Sequence, residues 1–399
     1  MDQIEIQDIT SQPTIKAGRK LVTVRTIDEL LPIEGADAIE VACVEGWKIV
    51  VKKGEFRAGD QCMYCEIDSF LPEGNPAWDF LIAKSARLFE GKRGHRLRTI
   101  KLRGQVSQGL VLPLSLFPEI ETRVTEPDIR ELDFSDQLGI VKWEAAISAE
   151  MQGISRGTFP SYIQKTDQER CQNLRAQIFQ YEDTVVPANE LHPEIIRKAP
   201  ARAGAEYEIT LKLDGSSMTA FVVPDEDFAS LAVPRVGVAS RNQELEISEL
   251  TASNTFVRAL SGGLGAALKK FFEDTHRSIA VQGELMGPGI QGNREGLSAH
   301  RFFVFDIFDI DKSQYCGVAE RRKIISGLAL AGVQLEHVPV LHQSITLQEL
   351  GLISIDALLA FAEGPSINHA IREGLVFKRA DGLFSFKAIS NKFLMKEKD

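Results

Sequence analysis

The sequence has no apolar run approaching the ~20 residues needed to span a bilayer, and even Phe302 to Phe305 is short. No membrane-spanning helix is therefore expected. The N-terminus, Met1-Asp-Gln-Ile-Glu, is acidic and lacks an apolar segment, so no signal peptide is expected either. Cysteine is sparse, and its odd count of 5 in such a chain favours reduced thiols in a cytoplasm. Cys62 and Cys65 form a C-x-x-C. They lie in a strand-like stretch with no second Cys or His pair at zinc-finger spacing, which favours a plain strand over a metal site. The 7 histidines are scattered and form no convincing ligand set.

Positive charge is also in deficit. The chain carries 46 basic and 56 acidic residues, net −10, the wrong sign for a protein that coats nucleic acid indiscriminately. The stretch from Lys92 to Arg103 reverses this locally. It holds Lys92, Arg93, Arg96, Arg98, Lys101 and Arg103, together with His95 and no acid. It reads either as a solvated hairpin or as a phosphate-contacting surface. No G-x-x-x-x-G-K-[ST] is present, which argues against a P-loop ATPase. Gly287-Pro-Gly289-Ile-Gln-Gly292 satisfies G-x-G-x-x-G, but the strand expected near Phe302 follows too soon for a crossover helix.

At 399 residues the chain is long enough for two domains. The first third reads as short strands: Leu21–Arg25, Ile39–Val44, Trp47–Val51, Gln61–Ile67, Leu97–Leu102 and Leu110–Leu112, separated by glycine-rich turns. Such spacing suggests a small β-barrel or sandwich. From Leu114 to Thr158 the pattern is that of a connector, and Lys165 to Tyr181 reads as a short polar helix. Beyond Tyr207, strands are expected at Tyr207–Leu213, Thr219–Val223, Val236–Ser240, Ile279–Leu285, Phe302–Ile310, Leu375–Lys378 and Leu383–Lys387. Helices are expected at Ser253–Leu260, Gly265–Thr275, Val318–Ala331 and Ser354–Ala362, with a turn after Ser390. Strands and helices do not alternate as βαβ units, so the expectation is α+β with antiparallel sheets flanked by helices, rather than a doubly wound fold. The division expected is 1–145 and 146–399.

The segment richest in chemistry is Tyr207-Glu-Ile-Thr-Leu-Lys-Leu-Asp-Gly-Ser-Ser. Strand alternation puts Tyr207, Ile209, Leu211 and Leu213 on one face and Glu208, Thr210, Lys212 and Asp214 on the other. Gly215 and the two serines form a small-residue turn that lets backbone approach a ligand. Alone, K-x-D-G also fits a surface strand end with an ion pair. It has company in a fixed order, however: Ser240-Arg241-Asn242, then Glu284 in Val281-Gln-Gly-Glu-Leu, then the pair Phe305-Asp306. Glu373-Gly-Leu-Val-Phe-Lys378 and Ser385-Phe-Lys387-Ala-Ile-Ser-Asn-Lys392 follow.

This series resembles motifs I, Ia, III, IIIa, IV and V of the covalent nucleotidyltransferase superfamily, which holds polynucleotide ligases and mRNA capping enzymes. K-x-D-G-S-S, G-E-L-x-G-P-G-I-Q-G-N and F-K-x-I-S-N-K-F resemble RNA ligases. Gly35-Ala-Asp-Ala-Ile-Glu, Gly46-Trp-Lys, Glu66-Ile-Asp-Ser-Phe-Leu-Pro and Arg103-Gly-Gln-Val-Ser-Gln-Gly-Leu resemble the N-terminal OB-type module of Deinococcus-type RNA ligases.

The resemblance implies ATP-dependent sealing of a 3′-hydroxyl to a 5′-phosphate, with RNA or a nicked RNA/DNA duplex as partner. Lys212 is the implied nucleophile, becoming lysyl-AMP. Leu211, Asp214, Gly215, Arg241, Glu284, Phe305, Glu373, Lys378 and Lys387 are the implied nucleotide site. Phe305 is expected to stack on adenine, Arg241 and Glu284 to hold the ribose, and Lys378 and Lys387 to neutralise phosphate. Glu373 is the first candidate to bind Mg²⁺ or Mn²⁺, and Glu284 the second. Arg96, Arg98, Lys101, Arg103, Lys165 and Arg170 are candidate nucleic-acid contacts.

Attack on ATP requires a neutral lysine, and near pH 7.4 only about one free lysine in a thousand is neutral. Neighbouring cations, Lys378 and Lys387 among them, or a metal are therefore expected to lower the pKa of Lys212. The competing readings are a DNA ligase, a capping-type enzyme, or a non-catalytic nucleic-acid-binding protein. A monomer is the default.

The spacing of Glu373 and Lys378 raises a further question, since an uninterrupted strand would point them to opposite faces. Either Glu373 lies in the turn before the strand or a bulge at Gly374 re-aims it.

Overall fold

The computed structural model describes residues 19–144, 154–179, 182–187, 193–198, 204–225, 233–330, 332–333 and 335–396. The chain divides into two compact units, residues 1–146 with 395–399, and residues 147–394.

In the first unit the strands are β1 (Val22–Pro32), β2 (Ile39–Val44), β3 (Trp47–Lys52), β4 (Gln61–Cys65), β5 (Ser69–Pro72), β6 (Arg87–Phe89), β7 (Lys92–Arg96), β8 (Thr99–Leu102), β9 (Gln105–Gln108), β10 (Leu110–Pro113) and β11 (Val141–Lys142). They form a five-stranded sheet in the order β10-β4-β1-β2-β3, a four-stranded sheet β11-β5-β7-β6, and the hairpin β8-β9. Strand β1 is shared along its length. Val22 to Thr26 pair with β4 and Ile27 to Pro32 with β2, with a register shift between Ile27 and Glu29, which is how one long strand turns a barrel corner. Val22, Val24, Met63, Cys65, Leu71 and Trp78 fill its core. Cys62 and Cys65 are free, and burial pushes both thiols up to about 12, so the C-x-x-C is strand interior.

The second unit is built on two antiparallel sheets. One contains β12 (Ser155–Thr158), β16 (Ser216–Pro224), β17 (Pro234–Ala239), β18 (Gln243–Leu245), β19 (Ile279–Met286), β20 (Arg301–Asp309) and β21 (Gln314–Tyr315), in the order β12-β18-β17-β16-β19-β20-β21, and β22 (Glu336–His337) adds to β20 in parallel. The other has the order β23-β15-β24-β25, from β15 (Glu206–Lys212), β23 (Val340–Thr346), β24 (Gly374–Arg379) and β25 (Ser385–Ile389). A separate hairpin pairs β13 (Glu182–Pro187) with β14 (Pro193–Lys198). The longer helices are α1 (Gly265–Thr275) and α2 (Val318–Leu330), and α3 (Ile355–Phe361) packs near the smaller sheet. Among the described residues no helix is long and apolar enough to cross a membrane.

The expected alternation along β15 holds, with a consequence for its polar face. Tyr207, Ile209, Leu211 and Leu213 enter a core that also takes Met286 and Phe303 from the larger sheet. The opposite face is not a surface. Glu208 is buried and paired with Arg321 and Arg322 of α2; Arg321 also reaches Asp306 of β20, which pairs with Lys378 of β24 at 2.8 Å. This ion network ties three strands and a helix together beneath the site.

One expected helix is largely absent. Between Lys165 and Tyr181 only Arg175–Phe179 is helical, while residues 180 and 181 lie outside the described residues. Cys171 N donates to Lys387 O at 2.9 Å and Lys387 N donates to Glu169 O at 2.8 Å. The backbone of this stretch is thus paired with the edge of β25 and is unavailable for a helix. Tertiary pairing overrides local propensity here.

Candidate active site

Lys212 closes β15 and pairs in register with Gly374, the first residue of β24. Glu373 therefore lies in the turn before β24, which answers the spacing question without a bulge. Its Oε1 receives Lys212 Nζ at 2.7 Å, and the two side chains are 27% and 15% exposed. Gly374 is required by close approach, because a Cβ there would sit 2.2 Å from Ala388 O. Gly374→Ala should separate β24 from β25 at the residue that aims Glu373. We expect a stability loss of about 1–3 kcal/mol, read as a lower melting temperature, with a matching loss of adenylylation.

On the far side of the turn, Gly215 N donates to Glu284 Oε1 at 3.0 Å. A Cβ on Gly215 would lie 2.6 Å from Leu285 O, so the turn lies against β19 only because the residue is glycine. Asp214 pairs with Arg294 at 3.4 Å, and burial followed by the charge of Glu373 pushes its pKa up to about 6.

Lys212 itself departs from expectation. Burial pulls its pKa down, but Glu373, Glu284 and Asp214 outweigh burial and hold it above the ordinary lysine value. Three carboxylates, rather than neighbouring cations, set the charge around the nucleophile.

Burial pushes the Glu284 carboxyl up to about 8 from an ordinary value of 4.5, against the opposing pull of Lys212. The folded protein therefore holds this proton more tightly than the unfolded chain, and stability falls as pH rises from about 4.5 towards 8. Glu284→Gln should accordingly melt higher than the parent at pH 8, by a margin that shrinks towards pH 5. Thermal melts across that range check it.

Phe305 reaches the site through an irregularity in the sheet. Gln282 pairs with Asp306 and Gly283 with Val304, so Phe305 is the extra residue of a bulge in β20. It is half-buried, Lys378 Nζ donates to its carbonyl, and Nζ lies 5.5 Å from its ring centroid. Lys378 and Lys387 are both depressed to about 8, chiefly by burial, against the raising effect of Asp306 and Asp167 respectively.

Lys387 Nζ donates to Asp167 Oδ1 at 2.9 Å, and Arg241 to Asp167 Oδ2 at 3.0 Å. Asp167 was not among the expected residues. Its partners lie 220 and 74 positions away, so no local pattern marks it. Leu211 contributes its side chain to the core, while its N–H donates to Pro339 O at 2.9 Å.

The candidate nucleic-acid contacts divide. Arg96 is taken up by Asp68 at 3.0 Å and by the Trp143 ring at 5.5 Å, so it is bound within its own unit. Lys101 and Arg103 are exposed on the β8-β9 hairpin, and Arg98 precedes it half-buried. Lys165 Nζ reaches Asn242 at 3.3 Å and lies 5.5 Å from the Phe159 ring. Arg170 is buried and bridges to Lys387 through the backbone, which makes it part of the site floor and not a surface.

No group of three or more His, Cys, Asp or Glu is arranged to hold a metal among the described residues. A cation there would need phosphate and water to complete its shell, as Mg²⁺ and Mn²⁺ sites on nucleotides do. The carboxylate at Glu373 fits that use: Oε1 holds Lys212, while Oε2 is buried with no hydrogen-bond partner.

A lysine at a strand end among carboxylates, in a unit of two antiparallel sheets preceded by a separate β-rich unit, defines a nucleotidyltransferase of the ligase type. Comparison identifies the group. A family model described as RNA ligase matches residues 205–392, and one described as an OB-fold domain matches 21–114. Solved structures of Naegleria gruberi RNA ligase are similar over nearly the whole chain. A mutant with AMP and Mn is 42% identical with a TM-score of 0.78, covering 95% of this chain and 99% of that one. A mutant with ATP and Mn is also 42% identical, with a TM-score of 0.77 and coverage of 94% and 98%. The same ligase with PPi gives 42% and 0.78, again over 94% and 98%. Comparison with curated protein sequences finds no match. The chain belongs to the RNA ligase family.

Proposed function

We propose that this ATP-dependent RNA ligase seals 3′-hydroxyl and 5′-phosphate ends with Lys212 as its nucleophile. One observation carries the assignment of Lys212. Its Nζ lies 2.7 Å from Glu373, within the charge field of Glu284 and Asp214, at the end of β15.

In the first step the Lys212 amine attacks the α-phosphorus of ATP, forming a P–N bond as pyrophosphate leaves. Lys212 must first lose the proton that the carboxylates hold on it. Glu373 would hold a divalent cation, whose positive charge would offset these carboxylates and the phosphate oxygens. Lys378 and Lys387, both poised near neutrality, gain protons more firmly once phosphate arrives, and neutralise it. Phe305, presented by its bulge, offers a ring face for adenine. AMP then passes to the 5′-phosphate of RNA, and a 3′-hydroxyl displaces it.

The exposed Lys101 and Arg103 support a nucleic-acid contact by the first unit, residues 1–145, with catalysis carried by residues 146–399. We further propose a monomer working in a reducing compartment such as the cytoplasm. The buried thiols Cys43, Cys62, Cys65, Cys171 and Cys316 support that compartment.

The test is incubation with α-labelled ATP or GTP and Mg²⁺ or Mn²⁺, followed by denaturation. Label carried on the protein from ATP is expected. Label from GTP alone would contradict the adenylate assignment.

A further inference from the structure

We propose that Asp167 is a positioning residue for nucleotide capture, holding Lys387 and Arg241 in the orientation in which they receive the phosphate and ribose of ATP. The inference rests on the function proposed above and extends it to a residue outside the ordered motifs.

The geometry is that of a two-way clamp. Asp167 gives one carboxylate oxygen to Lys387 Nζ at 2.9 Å and the other to Arg241 at 3.0 Å. Lys387 belongs to β25 of the smaller sheet, and Arg241 follows β17 of the larger one. A single carboxylate therefore sets the spacing of two cations carried by different sheets.

The segment bearing Asp167 is pinned on both sides of it. Upstream, Gln164 O accepts from Gln282 Nε2 at 2.8 Å and from Tyr315 Oη at 3.2 Å. Downstream, Glu169 and Cys171 exchange backbone hydrogen bonds with Lys387 itself. The irregular backbone that displaced the expected helix thus delivers a carboxylate to a fixed point.

The charge environment gives the clamp a second effect. Lys387 is desolvated, and it faces Arg170 and Lys212, both cationic; Asp167 is the anion that opposes them. Burial leaves the Lys387 pKa near 8 even with that anion in place. Removing the negative charge lowers it further, and the ammonium is then lost within the working pH range. Because the effect belongs to the free enzyme, it appears in kcat/KM for ATP rather than in kcat.

The experiment compares Asp167→Asn with the parent protein, following lysyl-AMP formation at subsaturating ATP between pH 6 and 9. Asparagine keeps the shape and removes the charge. The expected result is a variant-to-parent ratio of kcat/KM that falls with rising pH, by about tenfold for each unit by which the Lys387 pKa drops. Asp167→Glu, which keeps the charge, should give a ratio that is nearly flat with pH, and thermal melts establish that both variants fold.

A folded Asp167→Asn whose ratio is flat across the range would overturn the proposal, as would tighter ATP binding, since that would make Asp167 a competitor of phosphate. Absence of label on the parent protein would instead overturn the nucleophile reading, so the two failures are distinguishable.

Discussion

Lys212→Ala should carry no adenylate after incubation with ATP and divalent metal, while still sealing RNA whose 5′ end is already adenylylated. The loss follows from chemistry, because the P–N bond requires an amine at that position and Lys378 and Lys387 are committed to Asp306 and Asp167. Lys212→Arg should fail equally, since a guanidinium is not deprotonated in a protein. The retained activity is the informative half. Joining a pre-adenylylated end needs the phosphate and adenine contacts but not the nucleophile. A gel separating substrate RNA, adenylylated RNA and sealed product reads both halves.

The second large effect concerns stability. Arg321→Ala removes the centre of the buried network, leaving Glu208 with Arg322 and Asp306 with Lys378. Arg321 is 1% exposed. Removing one partner from a buried ion network leaves Glu208 and Asp306 with less compensating charge and costs about 3–5 kcal/mol. For a unit of this size that corresponds to a melting temperature lower by on the order of 10 °C. Arg321→Lys, which keeps the charge but not the forked donor, should lose less. A loss below about 1 kcal/mol would mean that the network is hydrated and does not tie the sheets together.

Much of this was readable in the chain because alternation and turn residues are local signals. Ile39–Val44 and Gly265–Thr275 have the bounds expected of them, and the strands from Tyr207 onward differ by a few residues at their ends. Lys212, Glu284, Phe305 and Glu373 were legible because each sits in an ordered motif, although the motifs alone do not report how the side chains meet.

What the sequence did not reveal depends on contacts between distant segments. Glu208 falls on the polar face of its strand, and nothing local says that a helix more than a hundred positions later covers that face. The Lys165–Arg170 stretch has helical composition, but its backbone pairs beside Lys387. Asp167 was invisible for the same reason. The raised pKa of Lys212 reverses the expectation drawn from its basic neighbours, because the carboxylates lie closer in effect than the cations do.

The most direct test of the account is a chase of the isolated enzyme–adenylate. The protein is labelled with α-labelled ATP, freed of nucleotide, and its adenylated peptide located by mass spectrometry. It is then given RNA with a 5′-phosphate and a 3′-hydroxyl in the absence of ATP. The account predicts adenylate on the peptide containing Lys212, label moving to the RNA 5′ end, and sealed RNA accumulating up to the amount of adenylated protein. Adenylate on another residue, or a Lys212 adenylate that RNA ends do not discharge, would contradict it.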